Sequence, residues 1–257
     1  MQYLDNNINK KWKEALRFVM NYGFESAPRG MKIKELLAQQ TRVDMVYPVL
    51  TVPERELGYK FMAAEAAWIL SGDNRVSTIE PFSKQISRFS DDGITYHGAY
   101  GPKIRDQLHY AADILMQDKD TRQAVINIWR ECPGQTADVP CTLSVQFIVR
   151  NDTLHVIDTM RSSDLWLGWP YDIFNFSMLA RYMLLYTGAD WNLGQIYLNA
   201  GSMHLYKPQW EAADDIINSN LDLFIDVDVP FQGMTPDSFV DSLWEAAHGN
   251  LLAPHEG

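Results

Sequence analysis

Two cysteines, Cys132 and Cys141, are the chain's candidate nucleophiles, and they lie nine positions apart. That spacing fits no CxxC pair or zinc knuckle. Cys141 follows Val139-Pro140 and directly precedes the apolar run 143–150. A Pro-Cys pair at a strand entrance is held by a stiff backbone. A thiolate there is a strong nucleophile when nearby cations favour the charged form. The bland alternative is a small buried hydrophobe, the common fate of an isolated Cys. The runs 143–150 and 154–160 flank Asn151-Asp152 and read as a β-hairpin. Antiparallel pairing through that turn puts residue 142 roughly opposite residue 161, so the thiol and the Arg161 guanidinium meet at the hairpin's open end. Such a pair suits an anion and a nucleophile, whereas Arg161 alone suits a surface salt bridge. The segment 161–172 that follows carries two Trp, a Gly and a Pro, and reads as a structured loop entering a helix. Asp172 or Asn175 fits the N-cap of that helix.

Other chemistries find little support. There is no GxGxxG, GxxxxGK[ST], HExxH or GxSxG motif and no EF-hand loop. His97, His109, His155, His204, His248 and His255 show no metal-ligand spacing. The formal charge of −11, from 22 basic and 33 acidic residues, argues against nucleic acid or an anionic membrane as partner. It leaves room for a small phosphate held by a few local arginines. Aromatic residues make up 12%, with eight Trp, which suits a deep core or an organic-ligand cleft. The N-terminus shows no basic region followed by an apolar stretch. The most apolar windows are interrupted by Glu65 and Arg181, and each is about half the ~20 residues a spanning helix needs. A cytoplasmic protein with reduced thiols is expected.

These residues must be positioned by helices and strands. Residues 8–22 place Ile8, Trp12, Ala15, Leu16 and Val19 on one helical face. Further helices are expected over 56–71, closed by Ser71-Gly72-Asp73-Asn74, over 104–116, and over 173–187, ended by Gly188. A short helix follows Pro236-Asp237, and the tail 252–257 looks loose. Strands are expected over 124–129, 143–150, 154–160 and 195–199, with 223–229 ending the sheet. No linker divides the chain, so one domain over 1–257 is expected, of the α+β class.

Three segments then resemble the signature of the thymidylate synthase family. They are Val139-Pro140-Cys141, Arg161-Ser162-x-Asp164-x-x-Leu167-Gly168-x-Pro170-Tyr171, and Gly201-Ser202-Met203-His204-Leu205-Tyr206. Earlier pieces fit in order. Arg29-Gly30 resembles the phosphate-loop arginine, Glu65 the catalytic glutamate, and Tyr100-Gly101 the tyrosine of the cleft. Arg122 resembles the arginine that one subunit lends to its partner. The resemblance implies an α+β, thymidylate synthase-like fold with a mixed or antiparallel sheet packed against helices. It also implies a homodimer with shared sites, a pyrimidine nucleoside monophosphate as substrate, methylenetetrahydrofolate as co-substrate, and no metal. By the same resemblance Cys141, Glu65, Asp172 and Tyr100 are catalytic. Arg29, Arg122, Arg161, Ser162, Thr142, His204 and Tyr206 hold the nucleotide, and Asp164, Leu167, Gly168 and Tyr171 face the folate.

The departures are informative. Synthases carry Asn where this chain has Asp172, His where it has Thr142, and Gln where it has Met160. In these three places the chain is similar to the phage deoxycytidylate hydroxymethylases. Ile86 stands where synthases have a cofactor-cleft Trp, and Gln123 where a second partner arginine stands. Hydrogen-bond polarity agrees with the first of these. Uracil shows an O4 acceptor and an N3–H donor, which one amide satisfies. Cytosine shows an N4–H₂ donor and an N3 acceptor; an Asp can accept from N4 and, protonated or by sharing a proton, serve N3. A mismatch leaves buried polar groups unpaired at ~1–3 kcal/mol each. The expected activity is hydroxymethylation of deoxycytidylate at C5, with C5 methylation and a catalytically idle nucleotide-binding scaffold as the alternatives.

Overall fold

A computed structural model of the chain describes residues 6–84, 86–130, 132–219 and 225–249. The first helix, α1 (Ile8–Tyr22), buries Ile8, Trp12, Ala15, Leu16 and Val19, the face its spacing predicts. The next helices are α2 (Tyr59–Leu70), α3 (Val76–Ile79), α4 (Tyr100–Gln117) and α5 (Trp169–Thr187). They are followed by α6 (Trp210–Asn218) and α7 (Pro236–Gly249). Both α4 and α5 begin four residues before the expected start. Pro102 and Pro170 lie inside the first turn, where a missing N–H leaves nothing unpaired and the fixed φ favours the helix. Gly188 ends α5 with φ 65°, a left-handed cap that glycine adopts without strain.

Among the described residues six strands form one mixed sheet. They are β1 (Phe24–Ser26), β2 (Ile33–Asp44), β3 (Val125–Asn127), β4 (Thr142–Arg150), β5 (Thr153–Asp164) and β6 (Asn192–Tyr206). Their order across the sheet is β1-β2-β6-β5-β4-β3, and β5–β6 is the parallel pair, joined through α5. The β4–β5 hairpin turns at Asn151 and Asp152, with φ 51° and 50°, as a two-residue turn between twisted strands requires. The expected five-residue strand at 195–199 is the middle of the fifteen-residue β6. β1 and β2 lie outside the expected strands, and β3 is shorter than the expected 124–129. Residues 225–229 form no strand, so this part of the expected 223–229 edge is corrected; residues 220–224 and the tail 252–257 lie outside the described residues.

One face of the sheet carries Val145, Phe147, Val149, Leu154, Val156, Met160, Ile196, Leu198 and Ala200, all buried against α5 and the helices around it. The opposite phase of β4, β5 and β6, which includes Ile148, Ile157 and Tyr197, stays half-buried. Among the described residues no helix is long and apolar enough to cross a membrane.

Candidate active site

The open end of the hairpin holds the thiol. The Arg161 backbone N–H donates to the Cys141 carbonyl at 2.9 Å, so 141 and 161 are neighbours. The expected pairing of 142 with 161 is off by one, since Thr142 pairs with Met160 ahead of an irregularity between Thr142 and Ser144. The Arg161 guanidinium donates through Nε to Pro140 O at 2.9 Å and through Nη2 to Val139 O at 3.0 Å. Nη2 also lies 3.8 Å from Cys141 Sγ. Arg161 therefore braces the Val-Pro-Cys segment rather than forming a surface ion pair. Burial pushes the Cys141 thiol up, Arg161 pulls it down, and the Asp172 and Asp164 charges push it up again. The lowering expected from Arg161 is present but outweighed.

The start of α5 faces this end. Its N-cap is Gly168, with no side-chain cap. Asp172 sits in the first turn, and no hydrogen bond is among the causes that set its proton affinity. The capping roles considered for Asp172 and Asn175 are thus corrected. A Cβ on Gly168 would lie 3.3 Å from Asp172 Oδ2, so glycine keeps the loop close to this carboxyl. Burial, then the Glu65 and Asp164 charges, raise Asp172 well above the usual carboxylate range. Asp164 accepts from the Trp166 and Leu167 backbone N–H groups at 2.8 and 3.1 Å, and burial raises it too. The Tyr171 hydroxyl accepts from Gly58 N–H at 3.1 Å and its ring meets Phe61 edge-on at 5.3 Å, which ties α5 to the start of α2.

From α2 comes Glu65. Asn175 Nδ2 donates to Glu65 Oε2 at 2.8 Å, while burial raises the carboxyl to about 7. From α4 comes Tyr100, whose ring stacks on Phe176 and whose hydroxyl accepts from Thr142 N–H at 3.2 Å. Burial raises the phenol well above its ordinary value, with Cys141 and Asp172 adding to the effect.

The register of β5 on β6 sets Ser162 beside Ser202 and Asp164 beside His204. Gly201 packs close on β5, since a Cβ there would stand 2.9 Å from Arg161 O. His204 is buried, its Nδ1 without a partner among the described residues, and meets the Tyr206 ring edge-on at 5.2 Å. Arg29 adopts φ 53° in a short turn and is exposed, and its charge reaches Cys141. Leu167 is 52% exposed on the rim. Arg122 is exposed, and its backbone carbonyl accepts from Gln146 Nε2 at 2.8 Å. The chain thus gathers Cys141, Thr142, Arg161, Asp172, Glu65, Tyr100, Asp164 and His204, and does not bring Arg122 to them.

Sequence reasoning missed three residues here. Asn175, read from the sequence only as a cap, holds Glu65 through a bond that joins two helices. Arg55 donates to Trp166 O through Nε and Nη2 at 2.8 and 2.6 Å and fixes the 164–168 loop. Glu35, paired with His204 across β2–β6, accepts the Ser202 and Ser26 hydroxyls, which lower its carboxyl.

Comparison with known proteins matches the thymidylate synthase family model over residues 10–234. Three phage relatives are each named deoxyuridylate hydroxymethyltransferase. The protein from Bacillus phage SP01 is 29% identical over 224 residues, 78% of this chain and 57% of the relative. That from Delftia phage PhiW-14 is 31% identical over 187 residues, 66% of this chain and 52% of the relative. That from Pseudomonas phage M6 is 30% identical over 199 residues, 72% of this chain and 56% of the relative. The chain spans a little over half the length of the relatives it matches. With the family model covering most of its length and the fold agreeing, the chain belongs to the thymidylate synthase family.

Proposed function

We propose that this chain is a one-carbon transferase that hydroxymethylates deoxycytidylate at C5, acting as one domain over 1–257. The observation that carries the base assignment is Asp172, a carboxyl in the first turn of α5, beside Gly168, with a strongly raised proton affinity. A carboxyl group that keeps its proton accepts from cytosine N4–H₂ and donates to N3. The relatives are named for deoxyuridylate, so the uracil nucleotide is the competing substrate.

In this reading the Cys141 thiolate adds to C6, which makes C5 nucleophilic and moves charge toward N3, opposite Asp172. Methylenetetrahydrofolate supplies the one-carbon unit, and water rather than hydride completes the hydroxymethyl group. The Phe61–Tyr171 edge pair and the exposed Leu167 offer an apolar rim that fits a flat pterin ring. Glu65, held by Asn175 with a proton affinity near neutrality, is matched to general acid–base work. Arg161, Arg29 and Ser162 take the 5′-phosphate, with the partner's Arg122, and His204 and Tyr206 take the sugar. The half-buried outer face of β4, β5 and β6 suits a second copy, so a homodimer is part of the proposal.

The test is kcat/KM for dCMP and dUMP in the wild type and in Asp172→Asn, with the product identified by mass. The wild type should prefer dCMP, and the substitution should shift the ratio toward dUMP by about 10- to 100-fold, from ~1–3 kcal/mol of mismatch. A ratio untouched by Asp172→Asn sinks the cytosine assignment. Release of tritium from C5-labelled nucleotide separates the enzyme from a binding scaffold.

A further inference from the structure

The thiol's segment is gripped by a loop with no part in the mechanism above. Residues 136–138 lead directly into Val139-Pro140-Cys141, and residues 90–98 lead into Tyr100. Two carboxyls stitch these stretches together in opposite directions. Asp91 accepts from the Thr136 hydroxyl and, at 3.0 Å, from the Ala137 N–H. Asp138 accepts from the Gly98 N–H at 2.7 Å, and its own N–H donates to Thr136 Oγ1 at 3.0 Å. The Tyr100 hydroxyl then takes the Thr142 N–H, one residue past the thiol. Both stretches are thus joined in the same order at three successive places. Gly98 is buried, and a Cβ there would stand 2.6 Å from Asp138 O, so glycine is what lets the two lie this close. The gripping loop is itself anchored. The Tyr96 N–H donates to Asn74 O at 2.8 Å and the Val76 N–H to Ile94 O at 2.9 Å. The Tyr96 ring meets Trp68 edge-on at 5.5 Å, and Trp68 lies on α2, three residues after Glu65. A path of bonds and packing therefore runs from the thiol's segment to the helix that carries Glu65. On the other side Arg161 braces Val139 and Pro140, but it ties them to β5 and not to α2.

We propose that Asp138, together with Asp91, is a positioning residue for the thiol: the two carboxyls fix Val139-Pro140-Cys141 against the 90–100 loop and so set where Cys141 Sγ stands relative to Glu65 and Tyr100. The proposal rests on the reading of Cys141 as the nucleophile. Attack on C6 needs sulfur and carbon aligned at about 3–3.5 Å, and a misplacement of about 1 Å costs about 10²-fold in rate. Arg161 holds the segment from one side only, and a clamp from the other side removes the remaining freedom. Neither clamp carboxyl touches the nucleotide in this reading, so the phosphate and sugar contacts do not depend on them.

The test is made in the Cys132→Ser background, which leaves Cys141 as the one thiol. Asp138→Ala removes the acceptor for the Gly98 N–H, whereas Asp138→Asn keeps an oxygen there. Asp138→Ala should lower kcat by about 10- to 100-fold, while the nucleotide Kd from equilibrium dialysis changes by less than about threefold. Asp138→Asn should recover most of that loss. Asp91→Ala should act in the same direction, and the double variant should lose less than the product of the two single losses, because the carboxyls hold one joint. Gly98→Ala, which wedges the stretches apart, should lower kcat likewise and serves if Asp138→Ala does not fold. Urea unfolding of each variant separates a lost fold from a lost position. A kcat within about twofold of the parent in Asp138→Ala, an Asn variant no better than the Ala variant, or kcat and Kd that worsen together overturns the proposal. The rate at which iodoacetamide modifies Cys141, read without substrate, should rise in Asp138→Ala and not in Asp138→Asn. Activity surviving in Cys141→Ser overturns the nucleophile instead, and the iodoacetamide rate still reports whether the carboxyls hold the segment.

Discussion

Glu65→Gln makes the energetics of the site measurable. Burial raises the Glu65 carboxyl from 4.5 to about 7, against a 2.8 Å hydrogen bond from Asn175 that pulls it the other way. Holding an anion there costs the folded state about 3 kcal/mol, at roughly 1.4 kcal/mol per pH unit. The sign follows from proton counting. The unfolded chain releases this proton near 4.5 and the folded chain near 7, so between those values the folded state binds more protons and stability falls as pH rises. Below 4.5 both states are protonated and Glu65 contributes no pH slope. Glutamine keeps the shape and an amide but has no such proton. The stability of Glu65→Gln relative to the wild type should therefore climb by about 3 kcal/mol between about pH 4.5 and pH 7.5, then level off. Urea unfolding at half-unit pH steps reads this as a growing separation of midpoints at constant m. Turnover should fall by about 10²- to 10⁴-fold at every pH. A separation independent of pH, or one that shrinks as pH rises, refutes the argument that Glu65 is desolvated by the fold.

Cys141→Ser should abolish turnover while nucleotide binding, followed by equilibrium dialysis, survives; Cys132→Ser at an exposed position should leave both near wild type. A dead Cys132 variant with an active Cys141 variant would reverse the assignment of the nucleophile. Arg122 is exposed and stands apart from its own chain's cluster. Mixing Arg122→Ala with Cys141→Ala subunits should then restore activity by forming one intact site per mixed dimer. No recovery despite confirmed subunit exchange counts against a shared site. Arg181, 0% exposed on α5, donates to the Val229, Met45 and Val46 carbonyls at 3.0, 2.8 and 3.0 Å. Arg181→Met strands those carbonyls and should cost at least about 3 kcal/mol in urea unfolding. A loss under about 1 kcal/mol would mean they find other partners.

The parts of the fold legible in the sequence are those whose pattern is local. The face of α1 and the β4–β5 hairpin follow from period and turn chemistry, and hairpin counting placed Arg161 beside Cys141 to within one residue. The strand β2 escaped because Ala38, with φ 51°, interrupts its pairing with β6 and Gln39-Gln40-Thr41 hides any alternation. Its partner β6 is distant in sequence, so only tertiary pairing defines it. The Asn175–Glu65 bond escaped for the same reason, since it joins two helices across 110 residues. The buried Asp158 left a local trace, a carboxylate in the apolar phase of a strand that otherwise reads Leu154, Val156, Met160.

That trace bears on a conflict in the composition. A chain with a net charge of −11 is a poor receptor for an anion, yet the site is read as binding a nucleotide phosphate. Asp164 and Asp172 act on the thiol, Glu65 and Asp158 are linked to Asp172, and each of the four carboxyls is raised chiefly by burial. Groups held above their ordinary range keep their protons further toward neutrality, so the cluster carries less negative charge than its residue types suggest. The cations that act on the thiol are the guanidinium groups of Arg161, 3.8 Å from Cys141 Sγ, and of Arg29. The surface acids repel polyanions through a field that salt screens within about 10 Å. On the proposed function, the site would offer a monophosphate these cations among acids that hold their protons further toward neutrality. On the proposed function, the burial that makes Cys141 a reluctant thiolate would also let an acidic protein accept an anionic substrate beside it.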